Sequence, residues 1–276
     1  CKFPMIQRFD RSDRRILTFP AVHPCEGISP GILLESLINL SGRICSFRSK
    51  YIPSQRKNAR EVIRQIGILL MFFEEIREHV PSLSSSFVLC FSELHLTFQK
   101  IEFLLEDCTR EGARLWILTK SHFITTQFRV LVRAMATALD VLPLKSIDLS
   151  REVKELVELV AKQSQKAKVE IGIEDEEELK RVIVISNQFE NRFEPERCVI
   201  KKVLDFLDIR SWNDCQKEIK FLEEEIRLEL NDGNVRELPL LSSLVGLLCY
   251  SRGVLYEDYD YGNSDQSDDG RHSLET

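Results

Sequence analysis

Between Phe87 and Cys108 the apolar residues Phe87, Phe91, Leu94, Phe98, Ile101, Leu105 and Cys108 follow one another at alternating steps of four and three. An α-helix turns 100° per residue, so this spacing lines all seven on one stripe, the seam of helices packed nearly parallel. A strand would need alternation every second residue, which this stretch lacks. The same logic extends in both directions. Ser29-Pro30 predicts a helix start, with Ile32, Leu33, Leu37, Leu40 and Ile44 on its face. A second helix is expected over about 55–79, carrying Ala59, Ile63, Ile66, Leu70 and Phe73, and stopped by Pro81 and the serines after it. A short Leu115-Trp116-Ile117-Leu118 segment leads into a fourth helix with Phe128, Leu131, Met135, Ala138 and Leu142, ended by Pro143. Four amphipathic helices on short links predict a four-helix bundle over 29–142.

The second half also reads as helical. Ser150 predicts a cap for a helix through about Val169. Asp175 with Glu178 reads as a capping pair for a helix through Phe189. Pro195 and Ser211 open two more, the latter with Trp212, Cys215, Ile219, Leu222 and Ile226 on its seam. A last helix, about Leu238 to Tyr256, is nearly apolar all round and is expected to be buried. The 276 residues hold 11 glycines and 9 prolines, too few for the frequent turns of a β fold. The fold class is all-α, with residues 1–28 a flexible leader, 29–256 the helical domain (150–256 its further helices) and 257–276 an acidic disordered linker.

Charge is unevenly placed. Residues 257–276 carry seven acidic groups and one basic group, which accounts for the whole net charge of −6. Residues 1–60 hold eleven Lys or Arg against four Asp or Glu. Arg43, Arg48, Lys50, Arg56, Lys57 and Arg60 cluster around the first interhelical connection and form the candidate partner-binding set. They point to an acidic protein or an anionic lipid surface. Aromatic residues are not interleaved with them, so nucleic acid is not expected. An ordinary charged surface is the plainer reading.

The eight cysteines lie at least 17 residues apart and mostly within apolar runs, which suits buried free thiols in a reducing compartment. The expected location is cytoplasmic, with the nucleus as the alternative. The longest uncharged stretches are about 14 residues, short of the ~20 a membrane span needs, and no signal peptide is visible. A first residue other than Met suggests a start inside a longer chain. No phosphate-binding glycine loop, nucleophile elbow or zinc motif occurs. Glu75 with His79, and Glu93 with His95, lack metal-site spacing. No catalytic residue, cofactor, metal or small-molecule substrate is expected. The acidic runs 174–178 and 223–225 read as solvated helix faces.

The stretch Ser54-Gln55-Arg56-Lys57-Asn58-Ala59-Arg60, running on as EVIRQIGILLMFFEEI, resembles the N-terminal domain of plant U-box ubiquitin ligases with armadillo repeats. The resemblance continues through LDVLPLKSIDLSREVKELVELVAKQSQKAK (139–168), DCQKEIKFLEEEI (214–226) and LSSLVGLLCYSRGVLY (241–256). It implies a helical bundle of the type found in Cbl adaptors and mixed-lineage kinase-like proteins, used for partner binding. It also implies that a U-box, which recruits a ubiquitin-charged conjugating enzyme, would follow. No Cys-Pro-Ile-like U-box opening occurs here. The expectation is a non-catalytic protein-interaction domain of the ubiquitination pathway. The alternative is a lipid-binding or membrane-associating helical bundle.

Overall fold

The computed structural model describes residues 28–77, 85–233 and 235–264. The 1–27 part of the expected leader, His79 and the tail 265–276 lie outside them. Among the described residues ten α-helices follow one another: α1 (Pro30–Ser46), α2 (Arg56–Ile76), α3 (Ser85–Cys108), α4 (Arg114–Thr119), α5 (Ser121–Asp140), α6 (Arg151–Lys166), α7 (Ile173–Glu190), α8 (Arg197–Phe206), α9 (Trp212–Asn231) and α10 (Leu238–Ser264). No strand occurs among the described residues, and the all-α expectation is met.

The chain divides into two compact units. The first holds the described residues up to Thr109 together with Lys120–Asp175; the second holds Arg110–Thr119 and everything from Glu176 on. This corrects the expected split between 29–142 and 150–256. In the first unit α1 packs on α2 and α3, α3 on α5, and α5 on α6, which closes back onto α2. The four expected helices are therefore joined by a fifth. Val153, Val157 and Val160 of α6, spaced at four and three, are 8%, 1% and 0% exposed. That stripe requires a partner, and α2 and α5 supply it. All seven seam residues of α3 are buried, and Phe73 meets Phe91 and Phe98 edge-on at 5.7 and 6.2 Å between ring centres. Such geometry adds about 0.5–1.5 kcal/mol per pair to the burial of the rings.

The helix starts follow their sequence signals. The side chains of Ser29, Ser150 and Ser211 accept hydrogen bonds from Ile32 N, Val153 N and Asp214 N, and Ser211 with Asp214 forms a full capping box.

In the second unit α4 packs on α9, and α10 on α8 and α9. Leu241, Leu244, Leu247 and Leu248 of α10 are buried, whereas Ser242, Cys249 and Arg252 face outward. The expectation of a helix buried all round is therefore corrected: α10 is covered on one side. It is also longer than expected, because neither glycine nor proline stands between Gly253 and Gly262. Residues 257–264 are helical, so the linker does not begin at 257. By length and composition, Leu238–Leu255 is apolar enough to cross a membrane, its one charge being Arg252. That corrects the reading that no segment could; the leucine stripe packed on α8 and α9 is also what a core helix shows.

Candidate functional site

The basic residues around the first connection begin at the end of α1. A 3-10 turn, Phe47–Ser49, follows it, and an extended stretch leads to α2. Gln55 caps α2 in the left-handed region (φ 62°), where a residue with a Cβ is held at a cost of about 1–2 kcal/mol. Its surroundings show what holds it there. Gln55 is 1% exposed. Its backbone N–H donates to Asp175 Oδ2 at 2.8 Å, and its Nε2 donates to the Ser121 carbonyl at 3.1 Å. Its Oε1 accepts from Asn58 Nδ2 at 2.9 Å and from Thr125 Oγ1 at 3.0 Å. Asn58 also donates to the Glu170 carbonyl at 3.0 Å. The Gln and Asn of the SQRKNAR stretch are thus a buried hub joining α2, α5 and the segment before α7.

Asp175 takes a different role from the one expected. It does not pair with Glu178 as a cap for α7; it satisfies an orphan N–H at the start of α2 and places negative charge at the positive end of that helix. Burial pushes its carboxyl upward, while the Gln55 N–H and Arg56 pull the other way.

The six candidate residues do not stay together. Arg43 forms a two-pronged ion pair with Glu102 of α3, Nε to Oε1 at 2.6 Å and Nη2 to Oε2 at 3.0 Å, and Glu102 is 7% exposed. The hydrogen bond to Glu102 raises the Arg43 pKa further. Arg43 is therefore a structural cation. Lys57, one residue and 100° around from Arg56, lines a different groove of about 530 Å³ between α2, α5 and α6, shared with Lys162, Lys166 and Lys168. Arg48, Lys50, Arg56 and Arg60 do converge. They line one small pocket of about 170 Å³ with Phe47, Tyr51, Ile52 and Ile63. Lys50 Nζ stands 4.1 Å over the Phe47 ring, and the Arg56 guanidinium 5.6 Å from the Tyr51 ring.

The remaining polar candidates have structural partners. Glu75 accepts from both Ser150 N (2.6 Å) and Ser150 Oγ (3.0 Å) and so steadies the start of α6. His95 is buried in mid-helix, its Nε2 2.8 Å from Ser36 Oγ, and burial depresses its pKa to about 4, so it is neutral at pH 7. Among the described residues no group of three or more His, Cys, Asp or Glu is arranged to hold a metal. Lys180 and Arg181 pair with the acidic run 176–178, as a solvated face requires. Asp175 and Glu178 depart from that expectation, being 7% and 8% exposed.

Several buried acids escaped the sequence reading, Glu218 among them, and Glu225, read as part of a solvated face, is 6% exposed. Glu218 of α9 is 1% exposed, and its two carboxylate oxygens accept from Arg114 N and Leu115 N, both at 3.1 Å. It caps α4 from another part of the chain. Burial outweighs these bonds and raises its pKa to about 7. The signal was present: Glu218 falls three after Cys215 and four before Leu222, on the apolar seam itself.

Comparison with known proteins follows the same helices. A family model described as the PUB10-like N-terminal domain matches residues 56–168. U-box domain-containing protein 19 of Arabidopsis thaliana is 42% identical over 266 residues, covering 95% of this chain and 38% of that protein. U-box domain-containing protein 18 of the same plant is 42% identical over 260 residues, 91% of this chain and 37% of that protein. U-box domain-containing protein 1 of Medicago truncatula is 30% identical over 246 residues, 84% and 35% respectively. No solved structure matches the chain. It spans well under half the length of these relatives. Identity this high over nearly the whole chain, with the family model lying across α2 to α6, supports one conclusion: residues 56–168 are a PUB10-like N-terminal domain, within a region that the chain shares with plant U-box domain-containing proteins.

Proposed function

We propose that this chain is a non-catalytic, partner-binding segment of the ubiquitin-ligase type that its relatives' U-box implies. The observation that carries this reading is the use made of the buried ionisable groups. Glu102, Asp175 and Glu218 each close a backbone amide or an ion pair of the fold itself. Glu218, although its pKa is near 7, is 1% exposed with both oxygens on backbone amides, so each of these acids is committed to the fold and not displayed to a substrate. The charges left to act lie on the surface, where a protein partner would meet them. Buried free thiols at Cys90, Cys108 and Cys215 support a reducing compartment such as the cytoplasm. The lipid-binding alternative needs a continuous basic face, and it is weakened by the loss of Arg43 to Glu102 and the turning away of Lys57.

Two experiments test the proposal. Mixed with activating enzyme, conjugating enzymes, ubiquitin and ATP, the chain should form no ubiquitin chains; their formation would refute the non-catalytic reading. Exchanging this segment for the matching segment of the Medicago truncatula relative should transfer the set of cross-linked partners with the segment. Partners that track the rest of the protein instead would refute the binding role.

A further inference from the structure

We propose that the pocket bounded by Arg48, Lys50, Arg56 and Arg60 is a phosphate-recognition site for a phosphorylated side chain of a protein partner. It rests on the reading of the chain as a partner-binding segment and names the chemistry that one part of its surface would select.

Four cations line a space of about 170 Å³, and no carboxylate lines it with them. Two acids of the same region, Glu61 and Asp175, have hydrogen-bond partners outside the pocket, although Asp175 still feels the charge of Arg56. Glu61 holds Arg64 through two hydrogen bonds of 2.6 and 3.1 Å, and Asp175 accepts from the Gln55 N–H. Arg56 and Arg60 stand four apart on α2, where like charges repel, and Arg56 opens the helix at its positive end. The arrangement is thus locally unfavourable in the free protein, and an anion would relieve it.

The heads are also held in place. The faces of Phe47 and Tyr51 carry Lys50 and Arg56, and Arg56 Nε donates to the Ile52 carbonyl at 3.3 Å. The Arg48 guanidinium lies against α2 beside Gly67, 3.6 Å from where a Cβ would stand. Cations positioned before the ligand arrives lose less freedom on binding.

The size of the pocket selects the ligand. The space falls below the roughly 300–1,000 Å³ of small-molecule sites. That suits one phosphate, with three acceptor oxygens and a charge near −2, better than a whole nucleotide. Guanidinium forks match phosphate oxygens in pairs. A peptide is favoured over a membrane because the four cations are gathered in a small pocket, with Lys57, Lys162, Lys166 and Lys168 in a separate groove, and the acidic stretch 257–276 of the same chain would be repelled by anionic lipid.

The test uses the full chain with phosphoserine peptides of randomised flanks, their unphosphorylated twins, inorganic phosphate as competitor, and phosphatidylcholine vesicles containing phosphatidylinositol phosphate. Phosphopeptides should be retained over their twins and displaced by inorganic phosphate. The double variant Arg48→Gln, Arg60→Gln should weaken retention by about tenfold or more, with the circular dichroism spectrum unchanged. The variant Lys166→Gln, Lys168→Gln removes equal charge outside the pocket and should stay within about twofold. Equal retention of phosphorylated and plain peptides overturns the proposal, as does an equal loss in the lysine variant. Binding to the vesicles without binding to the peptides overturns it in favour of a membrane. If partners are still captured while phosphopeptides are not, the pocket proposal fails alone; if no partner is captured, the binding function fails with it.

Discussion

Replacing Glu218 by Gln should remove a pH dependence from the second unit. In the folded chain burial lifts this carboxyl from 4.5 to about 7. Between those values the native state keeps a proton that the unfolded chain has released, so stability falls as pH rises. Each pKa unit corresponds to ~1.36 kcal/mol, so the full effect is about 3 kcal/mol, absent below pH 4.5 and complete above pH 7. Gln has no proton to lose. It keeps one oxygen to accept from one α4 amide and sets its NH2 against the other, a cost that does not change with pH. The measurement is urea unfolding followed by tryptophan fluorescence from pH 5 to pH 8. The chain has two tryptophans, Trp116 and Trp212, and both lie in the second unit, so the signal reports on the unit that contains Glu218. The difference in stability between variant and parent should move in the variant's favour by about 2.5 kcal/mol across that range. Parallel pH profiles would refute the assignment of Glu218 as a buried, half-protonated cap.

Three more outcomes follow from the first unit. Phe98→Ala, at a site 0% exposed, should cost about 3–5 kcal/mol in thermal or chemical unfolding, and an unchanged midpoint would contradict the α3 register. Gln55→Gly should destabilise even though glycine is at ease at φ 62°, because it strips the partners from Thr125 Oγ1 and the Ser121 carbonyl; a gain in melting temperature would mean that backbone strain outweighs the hub. Arg43→Ala should lower stability by about 1–3 kcal/mol by leaving Glu102 buried and unpaired, whereas Arg60→Ala should stay within about 0.5 kcal/mol; equal effects in circular dichroism melts would erase the distinction drawn between the two arginines.

The helices were legible because their seams are long and regular. Phe87 to Cys108 places seven apolar residues on one stripe without a break, and Ser29, Ser150 and Ser211 mark other helix starts by local chemistry alone. Which helices share a core was not legible. α6 carries an apolar stripe that suits any neighbour, and only the three-dimensional packing assigns it to α2 and α5. The basic set failed in a similar way. Six cations near in sequence read as one patch, but a helix separates Lys57 from Arg56 by 100°, and the partner of Arg43 lies 59 residues away. The roles of Asp175 and Glu218 depend on amides 120 and 104 residues distant, which no local pattern encodes.

The short α4 changes how the chain must be handled. Its sequence lies inside the span of the first unit, yet it belongs with residues beyond 175, so the backbone passes from one unit to the other at 109, 119 and 175. Two beads on a string can be cut apart; these two cannot, because no single cut releases either one whole. A fragment ending near 175 would keep α4 but lose α9, leaving the Arg114 and Leu115 amides without their carboxylate. The ribosome produces that fragment on every round of synthesis. At roughly 5–20 residues per second, α4 emerges about 5–20 s before Glu218 exists, and for that interval Leu115, Trp116, Ile117 and Leu118, all buried in the finished protein, have no α9 to pack against.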